Sequence, residues 1–300
     1  MKLKIKPAPP FDLDLSARIF SEGDARFRRY EAGAFWQVIR LGERLALVTL
    51  RSTGSVDAPV LSVELEPNVF SSDEADAAEK IVRKLFNLDF NLLPFYEAVK
   101  GDRVMSKLTD RLRGLHSPTT QTIFEALIDS IIEQQISLKV AWSLQRRVIE
   151  TFGDVLRING KDYYAFPRPD TLAGATLEQL RNCGLSMRKT EYVRDFARLV
   201  VNGLDPESLR DYDDSSIIEE LSKIRGVGVW TAELTMVRGM ARLDAIPADD
   251  LGIRRCISHY YCGDKEITGA EARRIAEGWR GWRGLASFYL LTAERLGIEV

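Results

Sequence analysis

Apolar and polar positions alternate along the first part of the chain. "KLKIK" switches at every residue, "FWQVIRL" and "RLALVTLR" concentrate β-branched and aromatic side chains, and "PVLSVELEP" runs into a proline. A period of two marks strands with one face buried, so residues 1 to about 70 read as β-rich. Gly42-Glu43, between Leu41 and Arg44, suits a hairpin turn.

From Ser71 the period lengthens to that of a helix. Ser71 and Glu74 make an S-x-x-E capping box ahead of "ADAAEKIVRKLF". Ser117-Pro118 opens a long stretch, "TIFEALIDSIIEQQISLKVAWSLQRRVIETFG", whose length predicts two helices broken near Gln135 and Ser137, with Gly153 as the stop. Further helix starts are predicted at Thr176 with Gln179, Asp205-Pro206, Ser216 with Glu219, and Thr268 with Glu271; Gly184 and Gly203 read as stops. The change of period predicts an N-terminal α+β domain, residues 1–95, and an all-α domain, residues 96–300, with the border near 94 to 96.

Composition narrows the chemistry. With 300 residues, the chain is long enough for more than one core. Apolar residues are 45% and charged residues 29%, an ordinary globular balance. No run of eighteen apolar residues exists, and "MKLKIKPAPP" lacks the apolar centre of a signal peptide, so neither a membrane span nor secretion is expected. The three cysteines, Cys183, Cys256 and Cys262, form no paired framework and fit a reducing cytosol. Only His116 and His259 are present, with no CxxC or HxxxH spacing, so zinc is not expected; three thiolates are too few for a four-thiolate iron–sulfur cluster. A net charge of −2 excludes bulk electrostatic holding of nucleic acid.

The densest pattern is "LSKIRGVGVWTAELTMVRGM" followed by "AIPADDLGIRR". Ile217, Ile218, Leu221 and Ile224 share one helix face; Val229, Ala232, Met236 and Val237 share the next. Only "RGVG" separates the two runs. Gly226 and Gly228 let the chain reverse there and let a ligand approach the main chain, where the first amides of the second helix lack partners. A plain αα-hairpin needs the same glycines for its turn alone. Asp249 and Asp250 precede a helix predicted from about Leu251, where an aspartate is commonly an N-cap.

Taken together, I-x-G-V-G-x-x-T-A, the apolar periodicity and the Asp-Asp pair resemble the helix–hairpin–helix DNA glycosylase superfamily, and most the bacterial inducible 3-methyladenine DNA glycosylase II branch. "KPAPPFDLDLSARIF", "FPRPDTLAGATLEQLRNCGLSMRKTEYVRDFARLV" and "GWRGWRGLASFYLL" extend the likeness over nearly the whole chain. The resemblance implies a TBP-like antiparallel sheet with helices, then a helical domain with its hairpin motif at 216–240. It implies double-stranded DNA with a damaged base as partner, a place in the cytoplasm near the nucleoid, and no required cofactor; a monomer is assumed.

Residue by residue, the resemblance makes Asp250 the catalytic carboxylate and Asp249 its support. Amides around Gly226, Gly228 and Trp230 would bind a phosphate, with Lys223, Arg225 and Arg238 adding local charge. Carbonyls of Ile224 and Val227 would face a monovalent cation when DNA is bound. Gln135, with Ile136 beside it, falls at the wedge that fills the gap left by the extruded base. Trp230 stands where strand-cleaving members carry a Schiff-base lysine, so simple hydrolysis is implied; as a side chain, Trp230 reads equally as pocket wall or core. Leu234, Leu251 and Leu291 occupy pocket positions that the branch usually fills with aromatics. Phe124, Trp142, Trp282, Phe288 or Tyr289 are candidates to compensate, and Arg295, one turn past Leu291, reads as a surface residue or as a contact to a base or its orphaned partner. Alkylated purines are therefore the expected substrate; deaminated or oxidised bases, or lesion binding without catalysis, stay open.

Overall fold

The computed structural model describes residues 1–20 and 26–300. The first third forms β1 (Lys2–Ile5), α1 (Leu13–Phe20), β2 (Arg28–Glu31), β3 (Ala34–Leu41), β4 (Arg44–Ser52), β5 (Leu61–Glu66) and α2 (Ser72–Leu85). The strands build one antiparallel sheet in the order β1-β5-β4-β3-β2, and Leu41 pairs with Arg44 across the Gly42-Glu43 turn. Alternation buries one set of side chains, Phe35, Ile39, Val48, Leu50, Val63 and Leu65, against Ala78, Val82 and Leu85 of α2 and Leu13 and Ala17 of α1. The Ser71 capping box is present. Sequence reading misses α1, although its apolar residues keep to one face, and the short β2 is set by its pairing with β3.

The remainder is helical: α3 (Leu93–Val99), α4 (Arg103–Arg111), α5 (Ile123–Glu133) and α6 (Leu138–Phe152), then a short hairpin of β6 (Val155–Ile158) and β7 (Lys161–Tyr164). Then follow α7 (Pro169–Gly174), α8 (Leu177–Asn182), α9 (Met187–Val201), α10 (Asp214–Ser222), α11 (Val229–Met240), α12 (Leu251–Cys262), α13 (Gly269–Ala276) and α14 (Arg283–Arg295). The β6–β7 hairpin was not expected in a helical region. It packs Leu156, Ile158 and Tyr163 under Val38 and Leu47, on the sheet face away from α1 and α2.

The helices form two cores. One joins α5, α6 and α9 to α10 and α11; the other joins α3 and α4 to α12, α13 and α14. The border predicted near 94 to 96 falls inside α3, whose Phe95 and Val99 belong to the second helical core, whereas Leu88 still belongs to the sheet core. Two helix starts differ from expectation. Thr122, not Ser117, caps α5, and Asp213, not Ser216, caps α10, because each offers its side-chain oxygen to the first free amides. Among the described residues no helix is long and apolar enough to cross a membrane.

Candidate active site

The hairpin joins α10 to α11 with a tight turn. Gly226 has φ +87°, and a Cβ there would lie 2.3 Å from the ring of Tyr192 on α9, so the position needs glycine for conformation and for space. Gly228 differs from expectation: its backbone is extended, with φ −100°, and a Cβ would meet nothing within 4 Å. Its role is openness. Gly228 caps α11 without a side chain, so the first amides of α11, including that of Trp230, have no intrahelical acceptor. The Ile224 carbonyl accepts from the Val227 amide at 3.0 Å, which closes the turn.

The cations expected to help are already engaged. Lys223 pairs with Glu220 at 2.7 Å, and Arg225 pairs with Glu191 and Asp195 at 2.6 and 3.2 Å. Arg238 lies three turns along α11, paired with Glu133 rather than near the turn.

Asp250 links the hairpin to the rest of the site. Its Oδ1 accepts from the amides of Gly252 and Ile253 at 2.8 and 3.1 Å, capping α12, and its Oδ2 accepts from the Trp230 indole N–H at 3.3 Å. Asp250 is thus itself the cap, whereas Asp249, expected to support it, lies against Gly269 at the start of α13. The loop before Asp250 is pinned from α14: Arg283 grips Asp244 at 2.9 and 2.6 Å, and Gly284 lets α14 pack directly on the Ala245 carbonyl.

Beside Asp250 opens a cavity of about 530 Å³ at the junction of the sheet and both helical cores, within the range of small-molecule sites. Leu234 and Leu291 line it, as expected. Gly252 ties it to the carboxylate, since a Cβ there would touch both Asp250 Oδ1, at 3.0 Å, and Leu291, at 3.3 Å.

Two pocket expectations are corrected. Leu251, the first residue of α12, points outward and is 74% exposed, so it is no part of the wall. Trp230 is neither core nor wall: half-buried, it stands at the rim, tethered to Asp250. Of the candidate aromatics, Trp142 and Phe288 line the cavity; Phe124 stacks on Phe196, Trp282 packs on Phe90 and Phe95, and Tyr289 is buried with its hydroxyl on the Leu115 carbonyl. Of the two readings of Arg295, the surface one is incomplete: though exposed, it reaches the cavity with its guanidinium 5.5 Å from the Trp142 ring centroid.

The break between α5 and α6 lies beside the hairpin. Gln135 is exposed with φ +56°, a left-handed backbone that a glutamine seldom adopts. Ile136 is half-buried against the first helical core, so Gln135 alone projects. The residue that sequence reasoning missed is Gln134. Its amide donates to the Gly226 carbonyl at 2.8 Å and to Thr231 Oγ1 at 2.9 Å, fixing this turn to the hairpin, and Lys189 donates to the Gln134 carbonyl at 2.7 Å from below. A polar residue at a helix end gave no signal of such a partner.

Also missed were Phe27 and Arg28, which reach into the cavity from the sheet, and the acids Asp129 and Glu133 of α5. Among the described residues, no group of three or more metal-ligating side chains converges.

The site thus combines a glycine hairpin with free main-chain amides, a carboxylate tied to it and an adjoining cavity. Residues 128–281 match the family model of the HhH-GPD superfamily base excision DNA repair proteins. A DNA-3-methyladenine glycosylase of Bacillus subtilis (strain 168) is 34% identical over 212 residues, covering 70% of each chain. DNA-3-methyladenine glycosylase 2 of Escherichia coli (strain K12) is 28% identical over 232 residues, covering 77% of each. The solved 3-methyladenine DNA-glycosylase from Archaeoglobus fulgidus superposes with a TM-score of 0.86 at 28% identity, over 99% of this chain and 100% of that one. The chain belongs to the HhH-GPD superfamily of base excision DNA repair glycosylases.

Proposed function

We propose that the protein is a monofunctional DNA glycosylase that everts an alkylated purine from double-stranded DNA and hydrolyses its N-glycosidic bond, leaving an abasic site. The observation that supports this reading is the Trp230–Asp250 hydrogen bond, which ties a carboxylate to the hairpin with the free amides, beside a cavity with room for a base. The amides of the first turn of α11 take the phosphate beside the lesion, with no need for net positive charge. Carbonyls of Ile224 and Val227 turn to a monovalent cation in that complex; the Ile224 oxygen, already accepting one hydrogen bond, keeps a second lone pair for it.

The base must leave the stack before its bond is accessible. Gln135, projecting from its strained turn, fills the gap it leaves, and Gln134 holds that filler at a set distance from the hairpin. Leu138, 51% exposed at the cavity's edge, adds an apolar surface beside it.

As the bond to the base lengthens, positive charge grows on the sugar. Asp250, held by two amides and the indole, is oriented before reaction and stabilises that charge without reorganising. It also aligns the attacking water. An alkylated purine leaves as a neutral base and needs no strong acid. Position 230 bears an indole, which cannot form a Schiff base, so the strand is left intact.

The test is to incubate the purified chain with methylated duplex DNA and then heat in alkali. Strand breaks only after alkali are expected. Breaks before alkali overturn the monofunctional reading, and no breaks at all leave a binding protein.

A further inference from the structure

One wall of the cavity is the helix α5, every one of whose eleven residues is buried. A helix buried on all sides is expected to be apolar throughout. Instead Glu125, Asp129 and Glu133, four residues apart and therefore on one face, are only 2%, 4% and 7% exposed. The outer two are balanced by arginines from other elements. Arg28 of β2 stands 3.9 Å from Glu125, and Arg238 of α11 pairs with Glu133, which also accepts from Gln145 of α6 at 3.1 Å. Asp129, the middle acid, lines the cavity, and its buried Oδ1 has no hydrogen-bond partner. Glu125 Oε1 is likewise buried without a hydrogen-bond partner, but Glu125 lies off the cavity, so Asp129 is the acid whose unpartnered oxygen is on the wall.

We propose that Asp129 reads the everted base: its free oxygen takes a hydrogen bond from the exocyclic amino group of a cationic alkylated base, and selects such a base over a neutral one that offers a carbonyl at that edge. The inference rests on the glycosylase reading and names the substrate class of the same cavity. The alternative source of such a preference, cation–π attraction, is weak here. Leu234 and Leu291 are aliphatic, and the Arg295 and Arg28 guanidiniums already lie over the rings of Trp142 and Phe27, which leaves Phe288 as the uncovered aromatic of the described lining.

The charge state adds a switch. Burial pushes the Asp129 carboxyl well above the ordinary range, Glu125 and Glu133 push it the same way, and Arg28 and Arg238 pull it back. Those four act on it most strongly, from α5, β2 and α11, while Arg146 of α6, Arg255 of α12 and Glu294 and Arg295 of α14 line the same cavity. Before a base arrives, the neutral carboxyl of Asp129 is therefore favoured. When a cationic base arrives, the O–H bond breaks, the proton passes to water, and the carboxylate pairs with the base: one proton is released and no other bond changes. A carbonyl edge would instead accept the retained O–H. Binding that releases a proton strengthens as pH rises, so preference for the amino-bearing cation over the carbonyl-bearing neutral base rises with pH.

The experiment measures kcat/KM for release of 3-methyladenine from methylated duplex and of hypoxanthine from a single-lesion duplex, from mildly acidic to mildly alkaline pH. Wild type and Asp129→Asn are compared, with melting temperature as the control for folding. In wild type the ratio of 3-methyladenine to hypoxanthine release is expected to rise with pH. In Asp129→Asn, whose amide both donates and accepts at every pH, the ratio should fall about tenfold, the scale of one hydrogen bond to a charged group, and become flat with pH. A wild-type ratio that does not change with pH overturns the inference without recourse to any variant, as does a variant whose ratio and trend match wild type. Release of neither base by wild type would overturn the glycosylase reading itself, a result distinct from these.

Discussion

Asp250→Asn separates two tasks that one carboxylate performs. Oδ1 caps α12 through the amides of Gly252 and Ile253, and asparagine serves as well as aspartate at an N-cap. Oδ2 receives the Trp230 indole at 3.3 Å, a long bond from a half-buried ring, so turning an amide N–H toward it costs about 1 kcal/mol or less. The fold should therefore survive, with a melting shift of about 2–4 °C at most. Catalysis should not. Losing one preorganised charge from the transition state is worth about 3–4 kcal/mol, a fall of about 100- to 1,000-fold in base release. Asp250→Ala removes the cap as well, costing about 1 kcal/mol more, and should lower both activity and melting temperature. Single-turnover release from methylated duplex, thermal melting and affinity for an abasic-site duplex read the three quantities. Release by Asp250→Asn at the wild-type rate, with unchanged melting, would show that the carboxylate only caps a helix.

Three further outcomes follow from the geometry. Gly226→Ala forces a Cβ into the Tyr192 ring at φ +87° and should destabilise the protein by about 1–2 kcal/mol in urea unfolding, whereas Gly228→Ala, in open space and extended backbone, should melt normally yet bind duplex DNA more weakly by standing between the amides and a phosphate. Borohydride added during turnover should trap no covalent complex with wild-type protein, because no lysine stands at position 230; a trapped adduct refutes simple hydrolysis. Burial pushes the Asp154 carboxyl up, but hydrogen bonds from Arg40 and Arg168 outweigh this and leave it below its ordinary range. Its folded value is thus below the unfolded value near 3.9, so its stabilisation is present above that pH and is lost as pH falls through the folded value. Asp154→Asn should cost about 1 kcal/mol or less at neutral pH, discounted because the side chain is 43% exposed, and the difference should vanish in strong acid, by urea unfolding across pH.

How far the site was legible can be seen in particular residues. The hairpin is local: apolar faces on both sides of "RGVG" and a helix start at Leu251 are written within a few residues, so α11, α12 and the position of Asp250 could be placed before any contact was known. Capping boxes at Ser71, Thr176 and Thr268 were readable for the same reason, since donor and acceptor lie three residues apart. Pairings across long separations were not. Nothing in "EQQIS" announces that Gln134 bonds Gly226, ninety-two residues on, and nothing in the β2 segment announces that Arg28 enters a cavity lined by helices.

Sequence by itself determined the period of each element, the flexible hairpin turn and the chemical kinds present, because these depend on neighbours within about one helical turn or one strand pair. Tertiary structure alone decided which of those groups meet. It turned Leu251 outward and brought Arg295 to the cavity, gave Asp250 rather than Asp249 to the cap and the indole, and set acids of α5 beside arginines of β2 and α11. The physical reason is that a side chain's partner and its desolvation are fixed by packing between elements distant in sequence, and local periodicity carries no record of that packing.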